Sequence, residues 1–166
     1  MKKLAILALS AFMISCNSTD SQQIQELKSQ IEKQQEFLDN IYKPGFGDLM
    51  GGLQNHHNKL WFAGTNENWE LADFALHEIE EIVEDIKMLH ANREETQSIF
   101  IIEPALEAMD EAVDNQNLSQ FKEEYINLTN ACNTCHKATG YEFISIQTPT
   151  LPSYTNQDFS RLIKED

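Results

Sequence analysis

Apolar residues are distributed along this chain in distinct patterns. It opens with an apolar run of eleven residues, Leu4 to Ile14, preceded by Lys2 and Lys3. From residue 17 to 42 the pattern becomes heptad-like: Ile24, Leu27, Ile31, Leu38 and Ile41, with Gln34 filling the missing core slot. This predicts a helical stalk, about 30 Å long at about 1.5 Å per residue. Fewer than three heptads are marginal alone, so the stalk reads as a spacer, with pairing to a second copy as the other use of its stripe. Lys43-Pro44-Gly45-Phe46-Gly47 breaks the helix and marks a boundary.

Beyond that boundary the period is helical throughout. From Phe46 to Ala63, Leu49, Met50, Leu53, His57, Leu60 and Trp61 share one broad face, and Gly64 stops the segment. From Asn68 to His90, Leu71, Ala72, Ala75, Ile79, Ile82, Val83, Ile86 and Leu89 face inward, while Glu78, Glu80, Glu81, Glu84 and Asp85 form a solvated outer face. A loop is expected around Asn92 to Gln97. Pro104 suits a helix first turn, with Leu106, Met109 and Val113 as its buried stripe; Ile99 to Ile102 is either part of that helix or an apolar lead-in. Asn117 with Gln120 resembles a capping box. It opens a last helix striped by Leu118, Phe121, Tyr125, Leu128, Cys132 and Cys135 and closed by Gly140. Four amphipathic helices on short connections imply an all-α fold, an up-down-up-down bundle over 43–140. The stalk, with its linker, is 16–42. In the remainder, 141–166, Tyr141 to Gln147 alternates like a short strand, and Pro149 and Pro152 mark an extended tail. That tail either caps an exposed edge of the site or wraps the bundle.

The chemistry is concentrated at Cys132-Asn133-Thr134-Cys135-His136. Cys-x-x-Cys-His is the spacing at which two thiols bond the two vinyl groups of one haem while the following histidine falls under the iron. At about 100° per residue, Cys132, Cys135 and His136 span an arc of roughly 100° on the stripe that faces the core. A zinc site would need a second pair of ligands, and the chain's one other cysteine is Cys16. A thioredoxin-type motif belongs to a strand–helix junction, not the depth of a helical stripe.

The leader changes the compartment. Eleven apolar residues are too few to span a bilayer, so 1–15 reads as a signal peptide. Met13-Ile14-Ser15-Cys16 resembles the lipobox of bacterial lipoproteins, which implies lipidation at Cys16 and a membrane-anchored protein facing the periplasm or outer surface. Such a compartment is where haem is attached to c-type cytochromes, and the three cysteines are then all used, one for lipid and two for haem. The charge balance is 12 basic against 27 acidic side chains, a net −15, and loss of Lys2 and Lys3 with the leader leaves −17. That surface excludes nucleic acid as a partner and suits a redox partner with a basic docking face.

A four-helix bundle with its haem motif near the end of the last helix resembles the cytochrome c-prime class and its low-spin relatives. HNKLWFAG (57–64), NWELADF (68–74) and CNTCH (132–136) are also similar to strings in a group of small helical cytochromes c. The resemblance covers roughly 46–140; cytochromes c-prime end soon after the motif, whereas here about thirty residues follow. It implies one covalent haem c with His136 as proximal ligand. In the low-spin relatives a methionine of the first helix is the distal ligand, which implies Met50 here. His57, on the same face about 10.5 Å further along, is the other candidate, and an open position the third. Leu49, Leu53 and Trp61 would build an apolar distal pocket, and Tyr125 and Leu128 are further expected contacts of the cofactor. An electron carrier is the leading expectation; a five-coordinate haem protein that binds a diatomic gas such as NO or CO is the alternative. No nucleophile–base pair or phosphate loop points to an enzyme, and none of the five histidines follows a glutamate by three residues, as a di-metal bundle site requires.

Overall fold

In the computed structural model, residues 16–39 and 43–161 are described. The leader 1–15, and with it the signal-peptide and lipobox reading, lies outside them, as do Ile41 and the side chain of Cys16. The chain divides into two compact units, 1–43 and 44–166. All regular structure among the described residues is helical: α1 Cys16–Asp39, α2 Phe46–Thr65, α3 Trp69–Leu89, α4 Glu94–Gln97, a 3₁₀ turn Ile99–Ile101, α5 Glu103–Asp114 and α6 Leu118–Ala138. None of the described helices is long and apolar enough to cross a membrane.

In the first unit, α1 leaves its heptad stripe in water, with Ile24 54% and Ile31 62% exposed. A helix of that kind gains little from burial of its apolar face and depends on length and local interactions.

The second unit is built by caps and stripes. Asn68 opens α3 by accepting from the Leu71 amide at 3.2 Å, and Asn117 opens α6 by accepting from the amides of Ser119 and Gln120, both at 3.1 Å. Pro104 occupies the first turn of α5, where its missing N–H costs nothing. Helix α2 packs on α3, α3 on α5, α5 on α6, and α6 on α2. Their shared core includes Leu60, Leu76, Ile79, Ile86, Met109, Phe121 and Tyr125, all essentially inaccessible.

Two expectations about the connections are corrected. The segment after α3 is not an irregular loop, and of the two readings of Ile99–Ile102 the apolar lead-in holds. A single turn, α4, leads into the 3₁₀ turn, whose three-residue period puts Ile99 and Ile102 on one side, both buried, and leaves Phe100 exposed. Residues 141–147 form no strand. Gly140, at φ +79°, ends α6 in a left-handed turn in which the Tyr141 amide donates back to His136 O at 2.7 Å. A further turn, Ile144 N–H to Tyr141 O at 2.8 Å, follows at once, so the backbone bends where a strand would extend.

The tail then returns along the helices, held by asparagines. The Asn58 amide grips Leu151 O (3.1 Å) and the Ser153 amide (2.8 Å). Asn68 donates to Ser160 O at 2.8 Å. Phe159 packs on Phe62 with ring centroids 5.7 Å apart. Tail and helices belong to one unit.

Gly64 is a packing constraint, because a Cβ there would collide with the tip of the Phe121 ring. Gly64→Ala is expected to lower stability by about 1–3 kcal/mol, read as a fall in the urea midpoint with an unchanged slope.

Candidate functional site

Where α2 and α6 part at one end of this unit, they enclose a cavity of about 500 Å³, within the range of small-molecule and cofactor sites. One wall is α2, with Phe46, Met50, Leu53 and Gln54; the opposite wall is α6, with Cys132, Cys135, His136 and Thr139. Ile99 and Ile102 add an apolar side, and Tyr141, Ile144 and Ile146 of the tail close another. The tail therefore both lines the site and wraps the helices.

Both cysteines are free thiols, buried on the stripe. Desolvation, and secondarily the neighbouring Cys135, push the Cys132 thiol up to about 12, and burial raises Cys135 as well. Burial thus disfavours the thiolate form at both positions. Among the described residues, no group of three or more His, Cys, Asp and Glu side chains is gathered as a metal-ion ligand set.

His136 is held differently. Its Nδ1 lies 2.7 Å from Ile144 O. A carbonyl can only accept, so Nδ1 carries the proton, and in the neutral ring Nε2 keeps its lone pair. This arrangement prepares an imidazole to act as a ligand through Nε2.

His57 lines the same cavity but has no such freedom. Its Nε2 is 3.0 Å from Thr129 Oγ1 and its Nδ1 2.9 Å from Tyr125 Oη. Because the Thr129 hydroxyl donates to Tyr125 O at 2.8 Å, Nε2–H of His57 donates to Thr129, and Nδ1 faces the Tyr125 hydroxyl. The single proton of that hydroxyl is shared between Nδ1 and His57 O, which lies 2.9 Å away, and the two rings stack at 4.4 Å. Burial holds His57 down to about 4 and Tyr125 above its ordinary range, so both are neutral. Ligation through either nitrogen of His57 would displace its buried partner, Thr129 Oγ1 or Tyr125 Oη, at a cost of about 1–3 kcal/mol for the group left unpaired. Met50, half-buried on the cavity wall, carries no comparable commitment.

Of the other expected contacts, Leu53 lines the cavity, whereas Leu49, Trp61, Tyr125 and Leu128 do not. The cavity ends at the His57–Tyr125–Thr129 network. Trp61 lies one turn beyond it, its ring 4.8 Å from that of Tyr125, and Leu128 is buried in the core.

The rim was not foreseen. The Arg93 guanidinium lies 4.6 Å above the Phe46 ring and pairs with Glu95, which also accepts from Tyr141 Oη at 3.0 Å. Hydrogen bonds from Arg93 hold the Glu95 carboxyl down to about 2. The tail was an expected cap on the site; the apolar run Ile99–Ile102 was the sequence signal for the other wall, and nothing local marked it, Arg93 or Glu95 as parts of the same site.

Gly47 and Gly51 also line the cavity, and a Cβ on either would meet nothing within 4 Å. By contrast, a Cβ on Gly52 would meet Ile82 Cδ1 of α3 at 3.2 Å. Packing within the chain accounts for Gly52 but not for Gly51.

The chain matches no family model, no curated protein and no solved structure.

Two substitutions test this geometry. Thr129→Val removes the partner of His57 Nε2 and is expected to cost about 1–3 kcal/mol, seen as a lowered unfolding temperature. Gly51→Ala is expected to stabilise the chain by up to about 1 kcal/mol, the helix-propensity difference, while narrowing the cavity.

Proposed function

We propose that this chain is an exported monohaem c-type cytochrome, and that α2, α3, α5 and α6 form an up-down-up-down four-helix bundle around the haem end. The observation that carries the reading is the convergence of Cys132, Cys135 and a histidine poised through Nε2 on one wall of a cavity of about 500 Å³. The glycines of the facing wall support it. In a helix interior Gly51 costs about 1 kcal/mol against alanine, and the open space above it is what a flat ring lying close to the backbone requires.

Cys132 and Cys135 would hold haem c through thioethers, each S–H adding across a vinyl double bond, and His136 would be the proximal ligand. When bound, the haem supplies a one-electron iron couple whose potential depends on axial ligation and burial. The chain's own residues do the rest. Leu53, Ile99 and Ile102 exclude water from the cavity, the Ile144 carbonyl fixes the His136 ring, and Met50 is the candidate sixth ligand. Lipidation at Cys16 would anchor the mature protein outside the cytoplasm, with α1 as spacer or as pairing surface for a second copy. The acidic exterior, −17 without the leader, favours a basic redox partner and disfavours nucleic acid.

A gas-binding protein with five-coordinate iron is the second reading. The occupied ring of His57 favours it, because it removes one of the two candidates for the distal position and leaves Met50 alone. Catalysis is the least supported use of the site.

The deciding experiment is expression in a host that assembles c-type cytochromes. The expected product is coloured, keeps its haem through acid extraction and has an intact mass raised by one haem; Cys132→Ala with Cys135→Ala abolishes retention. A colourless protein of unmodified mass overturns the proposal. In the coloured protein, a sharp low-spin band indifferent to CO that is lost in Met50→Ala but kept in His57→Ala indicates the carrier. A broad high-spin spectrum that shifts with CO indicates gas binding.

A further inference from the structure

The geometry points to Asn133 as a positioning residue for the His136 imidazole, acting through the tail. Asn133 is one of the two spacer residues of the Cys-x-x-Cys-His motif, positions whose stated task is only to separate the thiols. Here its side chain grips the tail at both ends of one peptide residue: Nδ2 donates to Ile146 O at 2.8 Å, and Oδ1 accepts from the Ile146 amide, also at 2.8 Å. Only one orientation of the amide group satisfies both bonds, so the donor and acceptor assignment is determined by the network.

Ile146 is two residues from Ile144, whose carbonyl accepts from His136 Nδ1–H. On the other side of Ile144, the turn from the Tyr141 carbonyl to the Ile144 amide fixes the backbone at 2.8 Å, and Tyr141 is itself held at Glu95. The segment 141–146 is thus tied at both ends, and the carbonyl between the ties sets the ring. Since Asn133 and His136 are three residues apart on α6, they lie on one face of the helix. A single short loop can therefore be bonded to both at once.

The inference rests on the haem reading for its functional consequence, though not for its geometry. A carbonyl accepting from Nδ1–H makes the imidazole a stronger donor at Nε2 and fixes its orientation. Asn133 would then set, through Ile144, how strongly His136 favours the oxidised iron.

The unloaded protein provides a readout without any cofactor. In the full chain prepared without haem, at about pH 8.5, well above the ordinary imidazole value of about 6.5, nitrogen-15 NMR of the histidine ring is expected to show His136 as the Nδ1–H tautomer. Asn133→Ala is expected to reduce the ratio of that tautomer to the Nε2–H form about tenfold, the loss of roughly one net hydrogen bond. Asn133→Asp, which keeps an acceptor for the Ile146 amide, is expected to lie between the two. Asn58→Ala loosens the tail further along, at Leu151 and Ser153, and is expected to leave the His136 tautomer unchanged. In the haem-loaded protein, Asn133→Ala is expected to raise the reduction potential, and Asn58→Ala to leave it. An unaltered tautomer in Asn133→Ala, or an equal shift in Asn58→Ala, overturns the inference and leaves the haem proposal standing. A colourless protein overturns the haem proposal and leaves the tautomer result standing.

Discussion

The site depends on a buried polar lock between α2 and α6. His57 on one helix, Tyr125 and Thr129 on the other, meet through contacts of 2.9 and 3.0 Å across sequence separations of 68 and 72 residues. In a low-dielectric interior such groups are costly unless paired. The lock therefore permits one spacing between the helices and one rotation of each. On one side of it Trp61, Phe121 and Tyr125 fill the interior with ring contacts. On the other the helices part and the cavity begins. The position of the lock determines where protein packing ends and space for another group starts.

The far end of α6 supplies a second determinant. The left-handed turn at Gly140 reverses the chain immediately after the motif, so that the residues best able to cover His136 are the ones that follow it. Without that reversal the tail would leave the helix axis, and the cavity would lack the wall made by Tyr141, Ile144 and Ile146. The remaining asparagine contacts, at Asn58 and Asn68, keep the returning chain on the helices. Electrostatics is a minor contributor at the cavity itself. Arg93 and Glu95 neutralise one another at the rim, and the dense acidic charge belongs to the outer surface of α3 and the rest of the exterior.

Much of the helical framework was legible because helix period, caps and stops are local. The stripe from Leu118 to Cys135, the Asn117 cap, Pro104 and Gly140 all act within one or two turns, and each operates where the pattern put it. The failures were also local in origin. Alternation over Tyr141 to Gln147 suggests a strand, but a strand requires a neighbour to bond with, and here the polar partners are side chains of α6 and backbone of the same turn. Likewise Trp61 satisfies the same apolar periodicity as Leu53, though it lies on the packed side of the lock and Leu53 on the open side.

The order of residues alone determined the helices, the spacing of two thiols and a histidine on one inward stripe, and the acidic character of the exterior, since all three follow from periodicity and composition. Tertiary structure alone decided which of two candidate ring or thioether donors remains free, because a histidine's hydrogen bonds to residues some seventy positions away leave no trace in its own neighbourhood. It decided equally that Asn133 reaches Ile146 and that Ile144 faces His136. Gly140 marks where the chain turns, but those contacts exist only once it has turned back, and which residues then meet is a property of packing.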